Sequence, residues 1–367
     1  LQSRGVQEIS ARQTQKSVAV LPFVAMSNGP DDEFFSDGLT EEIINSLSQL
    51  PQLLVTARSS AFHFKSQNLP LTEVAQKLGV AHVVEGSVRR AGERLRISAQ
   101  LIRAEDGFTL WSESYDRSNG DTLSIQADIA EKVATALNVV LDDRLRAHMQ
   151  RAGTRDTTAF IELQKGILLF ERAHRELNQV SLLRQANTHF EHARRLEPSM
   201  VEAYQYHSDL SSHVLLSRAA GELEGDITEA DLARAPGEIE SDYRQSIGYA
   251  RNGSQRVNAE FGLALLTGRW QGIRGKSHRA LTSNTCESPL WAHMVGAAFG
   301  DAANVLASFQ RMGACDPLRV RPRVHSVGAL LWLQQPGHAE RLAQASLEQF
   351  NHPFLIRGLA QALAARD

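Results

Sequence analysis

The stretch from Ala186 to Pro198 constrains this chain more than any other. Ala186, Phe190 and Ala193 share one face of a helix, and Pro198 stands where that helix must stop. A small residue at Ala186 permits close helix contact, Phe190 is a bulky plug for the next unit, and Ala193 lets backbones approach. Pro198 has no N–H for an intrahelical hydrogen bond, so it ends the segment. Each position has its own mechanical reason, and together they describe a helix packed closely against its neighbours. Much of the chain is therefore expected to be a scaffold built for contact rather than chemistry.

At 367 residues there is room for about two or three domains. A formal net charge of -3 and a pI near 6.5 give no electrostatic case for nucleic-acid or anionic-membrane binding. Arginines cluster at Arg89, Arg90, Arg94 and Arg96, and again at Arg319, Arg321 and Arg323, where solvated hairpins and helix ends account for them. No apolar run approaches the ~20 residues needed to cross a bilayer, and no signal peptide is present. The chain opens on Leu1 and stays polar and unpatterned from Gln2 to Lys16, so residues 1–16 are expected to be a linker following a removed membrane span. Cys286 and Cys315 lie near Pro289 and Pro317, in or beside interhelix loops. A disulfide between them requires an oxidising compartment, and two separate thiols fit the sequence equally well.

Two periods divide the chain. Val18 to Leu21 is a short apolar run stopped by Pro22, the pattern of a buried strand. Asp31, Asp32 and Glu33 mark a loop or helix entry; Leu39, Ile43, Ile44, Leu47 and Leu50 then recur at helical spacing, with Glu41 and Glu42 placed in a first turn. Leu53 to Thr56 reads as a second strand, and Thr72 as the N-cap of a helix ended by Gly79. Val84 and Val88 share one strand face, Ala91 and Gly92 supply a turn, and Leu95, Ile97, Ala99 and Leu101 alternate with polar residues on the return. Thr109 to Tyr115 adds a strand, and Asp121 and Thr122 cap a helix through Ile129, Val133, Leu137 and Val140. This is an α/β domain over residues 17–150, a mixed sheet covered by helices. From Thr157 to the end only the helical period remains, punctuated by Pro198, Pro236, Pro289, Pro317, Pro336 and Pro353. Helical pairs are expected around Phe261 to Leu281 and Val327 to Leu347, with Gly221 to Gly237 an insertion or long loop.

The Ala186–Pro198 pattern resembles the second helix of a tetratricopeptide (TPR) repeat, with Ala203 and Tyr204 opening another in phase. Residues 157–367 are thus expected to form an all-α, TPR-like superhelix with room for about six helical pairs. The first half carries Ser17-Val18-Ala19-Val20-Leu21-Pro22-Phe23 and Phe35-Ser36-Asp37-Gly38-Leu39-Thr40-Glu41-Glu42. Ala57-Arg58-Ser59-Ser60-Ala61-Phe62, Glu85-Gly86-Ser87-Val88-Arg89-Arg90 and Leu110-Trp111-Ser112-Glu113-Ser114-Tyr115 follow in order. In these blocks it resembles the TolB-like N-terminal domain that precedes TPR arrays in bacterial membrane-anchored regulators and class III adenylate cyclases. The resemblance implies a region C-terminal to a transmembrane helix, with a winged-helix or cyclase output domain on the cytoplasmic side.

No catalytic constellation emerges. His189 and His192 stand three apart, but Phe190 and Ala193 define the inward face and leave both histidines on the polar side without a third ligand. The Asp31–Glu33 run lacks the alternating ligands of a calcium loop and reads as a solvated loop. Neither P-loop nor dinucleotide-binding spacing surrounds Gly86, Gly92 or Gly107. Trp111 and Tyr115 share a strand face, where core packing is the default and a ligand platform the alternative. Arg58, Ser59 and Ser60 follow a strand end, where open sheets bind ligands; a turn held by short hydroxyls is the simpler account.

The resulting expectation is a non-catalytic sensor or protein-interaction region of a bacterial membrane-bound signalling protein, a transcriptional regulator first. The regulatory region of an adenylate cyclase and a free TPR scaffold are the rivals. The expected partner is a protein or peptide in the TPR groove, with the α/β domain as a second binding surface or a homodimer contact, no direct nucleic-acid contact, and neither cofactor nor metal. By the topology the resemblance implies, the location is the periplasmic side of an inner membrane, with the cytoplasm as the alternative.

Overall fold

A computed structural model of the chain describes residues 16–50, 52–92, 94–118, 125–139, 141, 156–174, 179–220, 227–283, 286 and 290–366. The proposed linker at residues 1–15, the Asp121 and Thr122 cap, the end of the first domain and Pro289 lie outside them. The strands are β1 (Ser17–Val20), β2 (Val24–Ala25), β3 (Leu54–Val55), β4 (His82–Ala91), β5 (Arg94–Arg103) and β6 (Thr109–Ser118). They form one mixed sheet in the order β3-β1-β4-β5-β6, with β2 also paired to β4. β1 runs parallel to both its neighbours, while β4, β5 and β6 form an antiparallel meander. An interior strand covered on both faces should be apolar throughout, and all four β1 residues are buried.

Pro22 separates β1 from β2, yet both lie along β4: Leu21 N donates to the Val84 carbonyl at 2.9 Å and Met26 N to that of Val88 at 2.7 Å. Phe23 folds over the gap. A Cβ on Gly86 would sit 2.4 Å from both the Phe23 ring and the Ser98 carbonyl, so only glycine admits that packing.

Alternating residues of β1 feed two cores. Val18 and Val20 join Leu39, Ile43 and Leu47 of α1 (Asp32–Ser48) and Ile129 and Val133 of α4 (Ile125–Ala136) on one face. Ala19 joins Val74, Ala75 and Leu78 of α3 (Leu71–Leu78) on the other. Between them lies α2 (Arg58–Phe62), where the sequence suggested a turn. Three further expectations need correction. α1 begins at Asp32, so Glu41 and Glu42 are mid-helix; the acidic run is not a solvated loop, because Asp32 is buried against Arg90 at 2.8 Å. Pro70, not Thr72, stands at the N-cap position of α3, where no side chain caps the helix.

The rest of the described chain is helical: α5 (Thr157–Ala173), α6 (Gln179–Leu196), α7 (Val201–Ala220), α8 (Glu229–Tyr249), α9 (Gly253–Leu266), α10 (Ile273–Thr282), α11 (Leu290–Ala298), α12 (Ala302–Cys315), α13 (Arg321–Trp332), α14 (Pro336–Leu347) and α15 (Pro353–Ala364). Ala186, Phe190 and Ala193 are fully buried among α5, α6 and α7, and α6 stops two residues before Pro198. Within Gly221–Gly237 residues 221–226 are not described; the remainder is not a loop but the start of α8, which runs straight through Pro236. A capping box at Thr228 and Asp231 starts that helix, and Ala235, Ile239, Asp242 and Ser246 line its buried face. That packing outweighs the roughly 3 kcal/mol that an interior proline costs.

Among the described residues, the halves meet in two regions in particular. At the first, Phe160 of α5 lies edge-on to Phe35, their centroids 6.5 Å apart, over Gly38 of α1, where a Cβ would meet the Phe160 ring at 2.2 Å. Gln164 donates to Glu41 at 3.0 Å, and Arg58 bridges Glu41 at 3.3 Å and Glu171 at 2.7 Å. At the second, the α12–α13 turn returns to the sheet. Ala57 N donates to the Cys315 carbonyl at 2.8 Å, and the Ser59 and Ser60 hydroxyls donate to the Asp316 carboxylate at 2.5 Å each. Leu318 N donates to Ser60 Oγ at 3.1 Å, and Cys315 is disulfide-bonded to Cys286.

Asp316 is buried and accepts from two hydroxyls, so Asp316→Ala should lower stability by about 2–4 kcal/mol in urea denaturation, against no more than ~0.5 kcal/mol for an unimportant contact. Burial, with Glu202 adding to it, pushes the Glu42 carboxyl up to about 8 from 4.5. The native state then keeps a proton that the unfolded chain has already released, so stability falls as pH rises from 4.5 towards 8. Glu42→Gln should flatten that decline in thermal melts recorded across the range; an unchanged slope would refute the assignment.

Candidate functional site

Helices α6, α7 and α8 enclose an open groove of about 390 Å³ lined by residues from all three. Its floor is the Asp242 carboxylate, held by α8 and only 3% exposed. A buried carboxylate needs compensation, and here it comes from both neighbouring helices. Arg194 Nη1 of α6 donates to Asp242 Oδ1 at 2.9 Å, and His207 Nδ1 of α7 meets Oδ2 at 2.6 Å. On its other side His207 Nε2 lies 3.5 Å from both Glu191 Oε1 and Arg194 Nη2. Asn187 donates to the His207 backbone carbonyl at 3.1 Å, fixing α7 against α6.

One wall is aromatic. Tyr204 and Tyr249 stack with centroids 6.1 Å apart and planes inclined by 20°, and the Arg194 guanidinium lies 5.6 Å from the Tyr204 centroid. Burial, followed by the adjacent Tyr249, raises the Tyr204 pKa, so the phenol stays neutral and available to donate. Glu191 and Glu238 line the groove as half-exposed carboxylates, the latter accepting from Ser211 Oγ at 2.6 Å. Tyr204 is buried within the aromatic wall and Tyr249 is exposed, so the groove presents one accessible aromatic ring beside acceptor carboxylates and the Arg194 cation.

The residues singled out in the sequence occupy other places. Ala186, Phe190 and Ala193 form the packing behind the groove, where Phe190 stacks on Tyr206 at 5.5 Å. Arg58, Ser59 and Ser60 are drawn into the two contacts between the halves. Tyr115 is 3% exposed in the sheet core with Trp111 packed against it. His189 and His192 both pair with Glu162, at 2.8 and 3.3 Å. Of the groove residues, the sequence reading noticed only Tyr204, as part of a repeat. Arg194, His207, Asp242 and Tyr249 come from three helices and follow no local motif; the repeat phase was their one available signal.

Residues 14–132 match the family model described as HilA/YgeH-like transcriptional regulator, second domain. A Rhizobium meliloti protein that bears an adenylate cyclase name is 33% identical over 233 residues, which is 64% of this chain and 39% of that protein. The chain thus spans about two-fifths of that relative's length. Among solved structures, TolB from Acinetobacter baumannii aligns with a TM-score of 0.26 and 14% identity, over 35% of this chain and 30% of that one. The lipoprotein GNA1162 from Neisseria meningitidis aligns with a TM-score of 0.25 and 18% identity, over 34% of this chain and 99% of that one. The sequence likenesses are to regulatory signalling proteins.

Removing the groove floor should be costly. Asp242→Ala leaves Arg194 and His207 without their shared buried partner and should destabilise the chain by about 3–5 kcal/mol. Glu191→Ala, on the solvent side, should cost less than about 1 kcal/mol. Chemical denaturation of the two variants measures the contrast, and equal losses would mean that the carboxylate is not the anchor.

Proposed function

We propose that this chain is the non-catalytic sensor and protein-interaction region of a bacterial membrane-bound transcriptional regulator. The observation that carries this reading is the match of residues 14–132 to a domain described as the second of a transcriptional regulator. A second domain works alongside another module, and the helical region beyond it supplies a groove rather than reactive groups. We take the helices to be a degenerate TPR array. A partner peptide lies across Tyr249, with its polar or basic side chains on Glu191 and Glu238. Occupation of the groove changes how two protomers are placed, and with them the output modules.

The adenylate cyclase likeness favours a second reading, in which the same region regulates a cyclase. Both readings leave this chain without chemistry of its own. We further place it in the periplasm, on the far side of an inner membrane from the output module. The Cys286–Cys315 disulfide supports an oxidising compartment. Among the described residues, no helix is long and apolar enough to cross a membrane.

In cells carrying the full-length protein, deletion of residues 157–367 should abolish regulation, measured as transcript levels and as cyclic AMP. A change in transcripts alone supports the regulator; a change in cyclic AMP supports the cyclase reading; no change in either rejects both. Tyr249→Ala with Glu191→Ala should lose the partner in pull-down while keeping the fold. Alkaline phosphatase fused to the C-terminus should be active, and an inactive fusion would reject the periplasmic placement.

A further inference from the structure

A cluster separate from the groove carries the donor chemistry of a metal site. His174 caps the C-terminal end of α5, and Asp209 and His213 stand four apart on α7. Residue 209 is about 200° around the helix axis from residue 207, so this face of α7 looks away from the groove. One ring nitrogen from each histidine and one oxygen of Asp209 lie within 4.8 Å of one another.

Both histidines turn toward the Asp209 carboxylate. His174 Nδ1 lies 2.8 Å from the Phe170 carbonyl, which can only accept, so Nδ1 carries a proton and Nε2 is the nitrogen left to meet an ion. That Nε2 faces Asp209 Oδ2 at 3.4 Å. His213 differs: its Nδ1 lies 3.0 Å from the Asp209 carbonyl and 3.1 Å from Oδ2, so it ligates by giving up the Nδ1 proton, with the remaining proton on Nε2. Asp209 Oδ2 is shut off from solvent, yet no hydrogen bond of good geometry reaches it. A carboxylate oxygen in that position needs positive charge.

We propose that His174, Asp209 and His213 bind one divalent transition-metal ion of the zinc class. Zinc held at 2.0–2.1 Å by tetrahedral ligands sets neighbouring donor atoms about 3.3 Å apart, and the observed 3.4 and 3.1 Å fit that spacing. A histidine ligand ordinarily donates its second N–H to a carbonyl, which fixes the tautomer; His174 does so toward Phe170. Two imidazoles and one carboxylate favour zinc, nickel or copper over magnesium or calcium, which prefer all-oxygen shells. The ion would tie the end of α5 to α7 beside the Phe170–Tyr206 contact, where the ring centroids are 4.8 Å apart.

The test uses the whole chain without an affinity tag, stripped with a chelator, dialysed, and titrated by calorimetry with zinc chloride and separately with magnesium chloride. Zinc should bind at one equivalent and magnesium should give no binding heat. Cobalt(II) chloride should produce the intense visible bands of a four-coordinate ion. Asp209→Asn should abolish zinc binding. His174→Gln, at a solvent-facing helix end where folding is not at stake, should weaken it by more than about tenfold, the scale seen when even an outer-shell partner is lost. If Asp209→Asn does not fold, His174→Gln decides alone. Absence of zinc uptake by the wild type, or uptake unchanged in His174→Gln, overturns the proposal.

Discussion

Helix α1 has to bury two faces at once, and the rest of the architecture follows from that. Leu39, Ile43 and Leu47 face the sheet, while Gly38 and Glu41 face α5. The glycine gives up some helix stability so that Phe160 can lie on the backbone. With α5 fixed there, α6 packs on α5 and α7 on both, and the groove opens where α8 joins them. The α/β domain is therefore the seat of the helical region as well as its neighbour in sequence.

What the sequence could disclose depended on how local each signal was. The β4–β5 hairpin was readable because alternation and its Ala91-Gly92 turn lie within one short window. Gly79, left-handed at the end of α3, announced itself in the same way. The start of α8 was misread because Pro236 and Gly237 are strong punctuation in a sequence, whereas the packing of Ala235 and Ile239 that overrules them is tertiary. Asp316 and Ser59 are farther apart still in sequence; no periodicity links a carboxylate after α12 to hydroxyls in α2. The short hydroxyls at Ser59 and Ser60 do satisfy polar groups, but those of a distant turn rather than their own.

The groove shows the same division. Its packing residues form a compact pattern, since Ala186, Phe190 and Ala193 belong to one helix. Its polar residues do not: Arg194, His207 and Asp242 converge only after three helices have stacked. Stacked helices fix their packing positions locally and leave the surface between them free to vary, so that surface is the part least visible in a single sequence.

The return of the α12–α13 turn to Ser59 and Ser60 changes what sort of mechanical element the helices are. A solenoid fixed at one end is a spring, in which small rotations between neighbours add up to stretch and bend. Fixed at α5 and again at Asp316, the intervening helices lose that end-to-end compliance and act as a strut. A load applied at the groove is then delivered to the sheet as displacement instead of being absorbed along the array. Helices α13, α14 and α15 lie beyond the second fastening and are held by their own shared core of Val327, Leu330, Ala339, Ala343 and Leu355.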